Sequence, residues 1–121
     1  MTEPTRPWTV RLTAAAEADF TDILRWTRER FGEAQALVYA ETLSMAPEAL
    51  HEGTSAIGVQ PREEILKGLF SLKVARKGRK GRHFIMFRIA RPDAGNVVEV
   101  LRLLHDSMDL PNQFVTTVND A

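Results

Sequence analysis

Val97-Val98-Glu99-Val100-Leu101-Arg102-Leu103-Leu104 is apolar on both faces apart from Glu99 and Arg102. Successive side chains of a strand point to opposite faces, so this pattern places the segment in the middle of a sheet rather than at its edge. Upstream, residues 84–90 and 69–75 read as two further strands. Pro92-Asp93-Ala94-Gly95-Asn96 separates the last two with residues that tolerate turn geometry, and residues 76–82, with Gly78 and Gly81, separate the first two. Near the N-terminus Trp8-Thr9-Val10-Arg11-Leu12 alternates apolar with polar, which predicts a fourth short strand.

Between that strand and the others the period changes from two to 3.6. Thr13 is a good N-cap, because its hydroxyl can take one of the orphan N–H groups of a helix starting at Ala14. Ala16, Phe20, Ile23, Leu24, Thr27 and Phe31 then fall on one side, and Gly32 suits the position just past the C-terminus, so residues 14–31 are expected to be helical. A second helix is expected from about 33 to 50, with Ala36, Ala40, Leu43 and Leu50 inward and a kink or break at Pro47. The link is too short for anything but an antiparallel hairpin, and residues 53–58 read as a loop. Asp109-Leu110-Pro111 looks like the start of a short final helix, and residues 115–121 like a fraying tail. The expected order is β-α-α-β-β-β: an α+β domain with a helical hairpin packed on one face of a small, mainly antiparallel sheet.

The 121 residues suit one domain over 1–121, its core running from about 8 to 110. The chain has no cysteine, which excludes a disulfide framework, a thiolate nucleophile and a Cys-based zinc site. No apolar run approaches the ~18 residues of a membrane helix, and the first residues carry no apolar signal-peptide region, so a soluble cytoplasmic protein is expected. The 16 basic and 16 acidic residues cancel overall but not locally. Residues 1–60 carry a net −4 and residues 61–121 a net +4. Lys73, Arg76, Lys77, Arg79, Lys80 and Arg82 fall within ten residues that contain no acid. Such a hairpin suits phosphate contacts, an acidic protein partner, or simply a solvated turn that blunts a sheet edge.

His51, His83 and His105 show no metal-ligand spacing, so neither a metal nor another cofactor is implied. His51 ends the second helix, where a cation favours the helix dipole. His105 leaves the central strand at its end, a position open to chemistry or to a structural role. Glu63 and Glu64, with Arg82 and His105, have the residue types for an acid, a phosphate clamp and a base in attack by a ribose 2′-OH, provided the fold brings them together. Trp8, Trp26, Tyr39, Phe84 and Phe87 are read as core rather than as a base-stacking platform.

Gly81-Arg82-His83-Phe84-Ile85-Met86-Phe87-Arg88 and Val100-Leu101-Arg102-Leu103-Leu104-His105-Asp106-Ser107-Met108-Asp109 resemble the ParE branch of the RelE/ParE superfamily of bacterial type II toxins. The resemblance extends to Leu12-Thr13, Glu17, Asp19 and Ile23, to the Phe31-Gly32 junction and to Tyr39, covering roughly residues 10–110. It implies the same β-α-α-β-β-β order and a cognate antitoxin whose C-terminal segment wraps the toxin. The resulting hetero-oligomer would reach operator DNA only through the antitoxin. ParE-like members poison DNA gyrase; RelE-like members cut mRNA in the ribosome. The L-H-x-x-M-D ending, with no tyrosine after His105, favours the gyrase reading, which needs no catalytic residue. Its candidate target contacts are Arg76, Lys77, Arg79, Lys80, Arg82, His83, Arg102, His105, Asp106 and Met108. The alternatives are a ribosome-dependent endonuclease built on Glu64, Arg82 and His105, and a non-toxic member that only binds its antitoxin.

Overall fold

The computed structural model describes residues 8–75, 78, 80–90 and 96–105. Strand β1 (Thr9–Leu12) leads into helix α1 (Ala14–Phe31) through Thr13. The Thr13 hydroxyl accepts the Ala16 N–H at 3.1 Å and donates to the Leu101 carbonyl at 3.0 Å. The expected N-cap therefore also ties the helix start to a distant strand. Gly32 ends α1 at φ 93°, in the left-handed region that favours glycine, and directly precedes helix α2 (Glu33–Ala49). The two helices pack as the expected hairpin.

Pro47 does not interrupt α2. It lies two residues before the end at Ala49, and the Leu50 N–H still reaches the Ala46 carbonyl. The change comes later, where residues Leu50–Ser55, partly expected as loop, tighten into a 3-10 turn. Gly53 stands inside that turn at φ 64°, and a Cβ there would overlap the Trp8 indole. His51 does more than complement a helix dipole. Its Nδ1 donates to the Trp8 carbonyl at 3.0 Å, so the turn holds the start of β1.

The remaining strands are β2 (Gln60–Pro61), β3 (Leu69–Lys73), β4 (His83–Ala90) and β5 (Val97–His105). They form one five-stranded sheet in the order β1-β5-β4-β3-β2. β5 lies between β1, which it pairs in parallel, and β4, which it pairs antiparallel; this is the central position its two apolar faces imply. The added strand β2 is an edge pairing of two residues, where Pro61 costs no ladder bond to an outer neighbour.

The helix side of the sheet carries the larger core: Leu72, Val74, Ile85, Phe87, Val98, Val100 and Leu103 pack with Ala16, Leu43, Ala46 and Leu50. On the opposite face Leu69, Met86 and Leu104 form a second cluster with Ile65, Phe84 and Leu101. Leu101 is the extra residue of a bulge, since Phe87 faces Val100 while Met86 faces Arg102.

Two residues assigned to the core from the sequence are not in it. Trp26 is 52% exposed and Phe31 63% exposed, packed edge to face at 5.8 Å. They lie toward the hairpin's turn, at the end of α1. Trp8, Tyr39 and Phe84 are half-buried and Phe87 is buried. The expected C-terminal helix and tail lie outside the described residues. Among the described residues no helix is long and apolar enough to cross a membrane.

Candidate functional site

β4 begins and β5 ends at the same end of the sheet, and the register sets His83 directly opposite His105. Their rings meet edge to face, with centroids 5.1 Å apart and planes at 88°. Tyr39 reaches them from α2: its hydroxyl lies 2.7 Å from His83 Nδ1. That approach depends on Gly81. A Cβ at residue 81 would stand 2.7 Å from Val74 Cγ2 and 2.9 Å from the Tyr39 hydroxyl oxygen, so only glycine lets the lead-in to β4 run this close to α2.

Between this corner and the hairpin lies a hollow of about 990 Å³. α1 contributes Asp22, Ile23, Trp26, Thr27 and Phe31; α2 contributes Gln35 and Tyr39; the strands contribute residues 80–83 and His105. Lys80 and Arg82 bring two cations to a rim where Asp22 is the acid among the described residues. Among those residues no three His, Cys, Asp or Glu side chains cluster as a metal site would require.

The sequence candidates are thus divided by the fold. Lys80, Arg82, His83 and His105 converge on the hollow. Arg102 is held elsewhere: its Nε and Nη2 donate to Asp19 at 2.6 and 2.9 Å, and the Leu103 N–H donates to the same carboxylate at 2.9 Å. The hydrogen bond that it donates to Asp19 holds the guanidinium above its usual range, outweighing burial, which acts the other way. Glu64 is exposed in the turn between β2 and β3, 3.5 Å from Arg62. Arg62 in turn donates to Ser71 Oγ at 2.8 Å and lies over the Phe84 ring, on the face of the sheet away from the helices, so Arg82 and His105 share a hollow that Glu64 does not line. Arg76, Lys77, Arg79, Asp106 and Met108 lie outside the described residues.

Reading the sequence missed Trp26, Phe31, Gln35 and Tyr39 as lining residues. An aromatic on the inner side of a helix reads as core unless the length of the sheet beneath it is known. It also missed Asp19, whose spacing from Arg102 is 83 residues.

Comparison with known proteins follows this architecture. The family described as ParE toxin of type II toxin-antitoxin system, parDE, matches residues 10–110. Toxin ParE1 of Caulobacter vibrioides is 33% identical over 101 residues, covering 82% of this chain and 90% of the relative. Toxin ParE of Escherichia coli is 34% identical over 99 residues, covering 82% and 85%. Among solved structures, a chain of the chromosomal ParDE TA system from P. aeruginosa superposes with a TM-score of 0.67 at 19% identity, covering 84% of this chain and 98% of that one. The YoeB/ParE toxin from Agrobacterium tumefaciens gives 0.50 at 13% identity, covering 80% and 96%. At those identities the structures share the fold, while the sequence matches carry the family. This chain belongs to the ParE toxins of type II toxin–antitoxin systems, in the RelE/ParE superfamily.

Proposed function

We propose that the chain acts in the cytoplasm by binding and poisoning DNA gyrase, and that a cognate antitoxin neutralises it by wrapping its surface. The observation that carries this reading is the ParE match across residues 10–110, which spans the hairpin and all five strands. The placement of the side chains supports a binder over a nuclease: the acid Glu64 pairs with Arg62 over the Phe84 face of the sheet and does not line the hollow of Arg82 and His105. In the hetero-oligomer, operator DNA would be reached through the antitoxin.

The test is purified chain with gyrase, ATP and supercoiled plasmid, followed by denaturation of the protein. Cleaved plasmid that appears only with the chain present, and disappears on adding antitoxin, is the expected result. Normal supercoiling with no cleaved product, or cut mRNA on ribosomes with an intact plasmid, would reject the reading.

A further inference from the structure

The hollow beside His83 and His105 is lined in an unusual way for a groove that takes a helix. Five of its described lining side chains are rings: Trp26, Phe31, Tyr39, His83 and His105. Ile23 is the aliphatic side chain of any length among them. Amphipathic helices seat leucine-like anchors in grooves they fill by shape, whereas ring faces favour flat, polarisable ligands. Trp26 and Phe31 are also the aromatic members of the large apolar side chains left exposed among the described residues. The Arg30 guanidinium lies 5.3 Å from the Trp26 ring centre, adding positive charge beside that ring.

Charge points the same way. Lys80 and Arg82 stand at the rim on the strand side, with two imidazoles beneath them. Rings in a hollow with cations along its rim are the arrangement that binds single-stranded nucleic acid, the bases stacking and the phosphates meeting Lys and Arg. A volume of about 990 Å³ is at the upper end of small-ligand pockets, room for a splayed base with its sugar and flanking phosphates.

We propose that this hollow binds a single-stranded polynucleotide, with an unpaired base against the Trp26 and Tyr39 rings and its neighbouring phosphates on Lys80 and Arg82. The inference deepens the gyrase reading and rests on it for the identity of the strand, namely DNA opened by the enzyme. The site itself requires only an unstacked base and its phosphates.

The experiment is fluorescence anisotropy with the full-length chain and labelled 12-nucleotide probes: single-stranded DNA, single-stranded RNA and duplex DNA. Single strands are expected to bind tighter than duplex, with a log–log salt slope near −1.4 for two phosphates at about −0.7 each. Trp26→Ala should weaken single-strand binding about tenfold, while Trp26→Phe keeps most of it. Arg82→Gln should flatten the salt slope by about 0.7. Trp26 is half exposed, so its truncation leaves the core in place, and a thermal melt of each variant checks this.

No single-strand binding, binding unchanged in Trp26→Ala, or duplex bound as tightly as single strands would each overturn the proposal. So would a Trp26→Ala defect seen against the antitoxin and not against the probes. Plasmid cleavage with gyrase, run on the same preparations, separates the two claims. Cleavage without strand binding rejects the hollow and keeps the gyrase reading; strand binding without cleavage does the reverse.

Discussion

Asp19 and Arg102 close the edge of β5 that β1 is too short to cover. β1 pairs with β5 only as far as Leu12 and Val100. Beyond that point α1 takes over: the Thr13 hydroxyl bonds the Leu101 carbonyl, and the Asp19 carboxylate bonds both the Leu103 N–H and the Arg102 guanidinium. A helix thereby satisfies the backbone groups that a missing strand would have paired.

Asp19→Ala should accordingly be among the most damaging surface-adjacent substitutions. It removes the carboxylate that holds a largely buried guanidinium and the Leu103 N–H, at a cost of about 3 kcal/mol. Urea denaturation measures this. A double-mutant cycle with Arg102→Ala should return a coupling of about 1–3 kcal/mol. Additive single effects would mean the pair is incidental to the strand edge.

Glu99 bridges three strands on the outer side of the sheet, taking hydrogen bonds from Arg11 at 2.9 Å and Arg88 at 2.8 Å. Burial pushes its carboxyl up, but the two arginines together outweigh this and hold it below the usual carboxylate range. A carboxyl depressed on folding adds stability above its unfolded pKa, and that stability is lost as pH falls through the folded value. Glu99→Gln should therefore cost about 1 kcal/mol at pH 7, since both arginines are more than half exposed. The difference from the parent should vanish in acid. Paired urea midpoints across the acid limb would show it, and a gap independent of pH would be the contrary result.

Gly53→Ala should cost more than Gly32→Ala, although both glycines have positive φ. At Gly32 an added Cβ meets nothing within 4 Å, so only the backbone preference is lost, about 1 kcal/mol. At Gly53 the Cβ would also drive the Trp8 indole off the turn, adding about 1–3 kcal/mol of overpacking. Thermal melts of the two variants give the comparison directly. Tryptophan fluorescence should shift only for the first.

Glu64→Gln should leave growth arrest and gyrase-dependent cleavage at the parent level, because its carboxylate is exposed and does not line the hollow. His105→Ala, which removes a lining ring, should reduce cleavage several-fold while the fold persists. Growth assays on induced expression, alongside plasmid cleavage, compare the two. Equal loss of growth arrest in both variants would favour the nuclease reading.

Local pattern was enough for the order of the two helices and four of the five strands, the two-residue β2 being the strand it missed. Thr13, Gly32 and the 3.6 period between them mark α1 to the residue, because a helix start, face and end are set by neighbours within four positions. The two apolar faces of residues 97–104 place β5 at the sheet's centre for a similarly local reason. What the tertiary structure alone decided is which distant side chains meet. The bulge at Leu101 and the antiparallel register bring His83 opposite His105. The reach of the hairpin beyond the sheet turns Trp26 and Phe31 from expected core into the exposed wall of a hollow. Asp19 finds Arg102 across 83 residues, and Glu64 stays out of the hollow that Arg82 lines although only 18 residues separate them in the chain. Periodicity reports the face a residue occupies within its own element; register, bulges and overhang arise from packing between elements, on which that periodicity is silent.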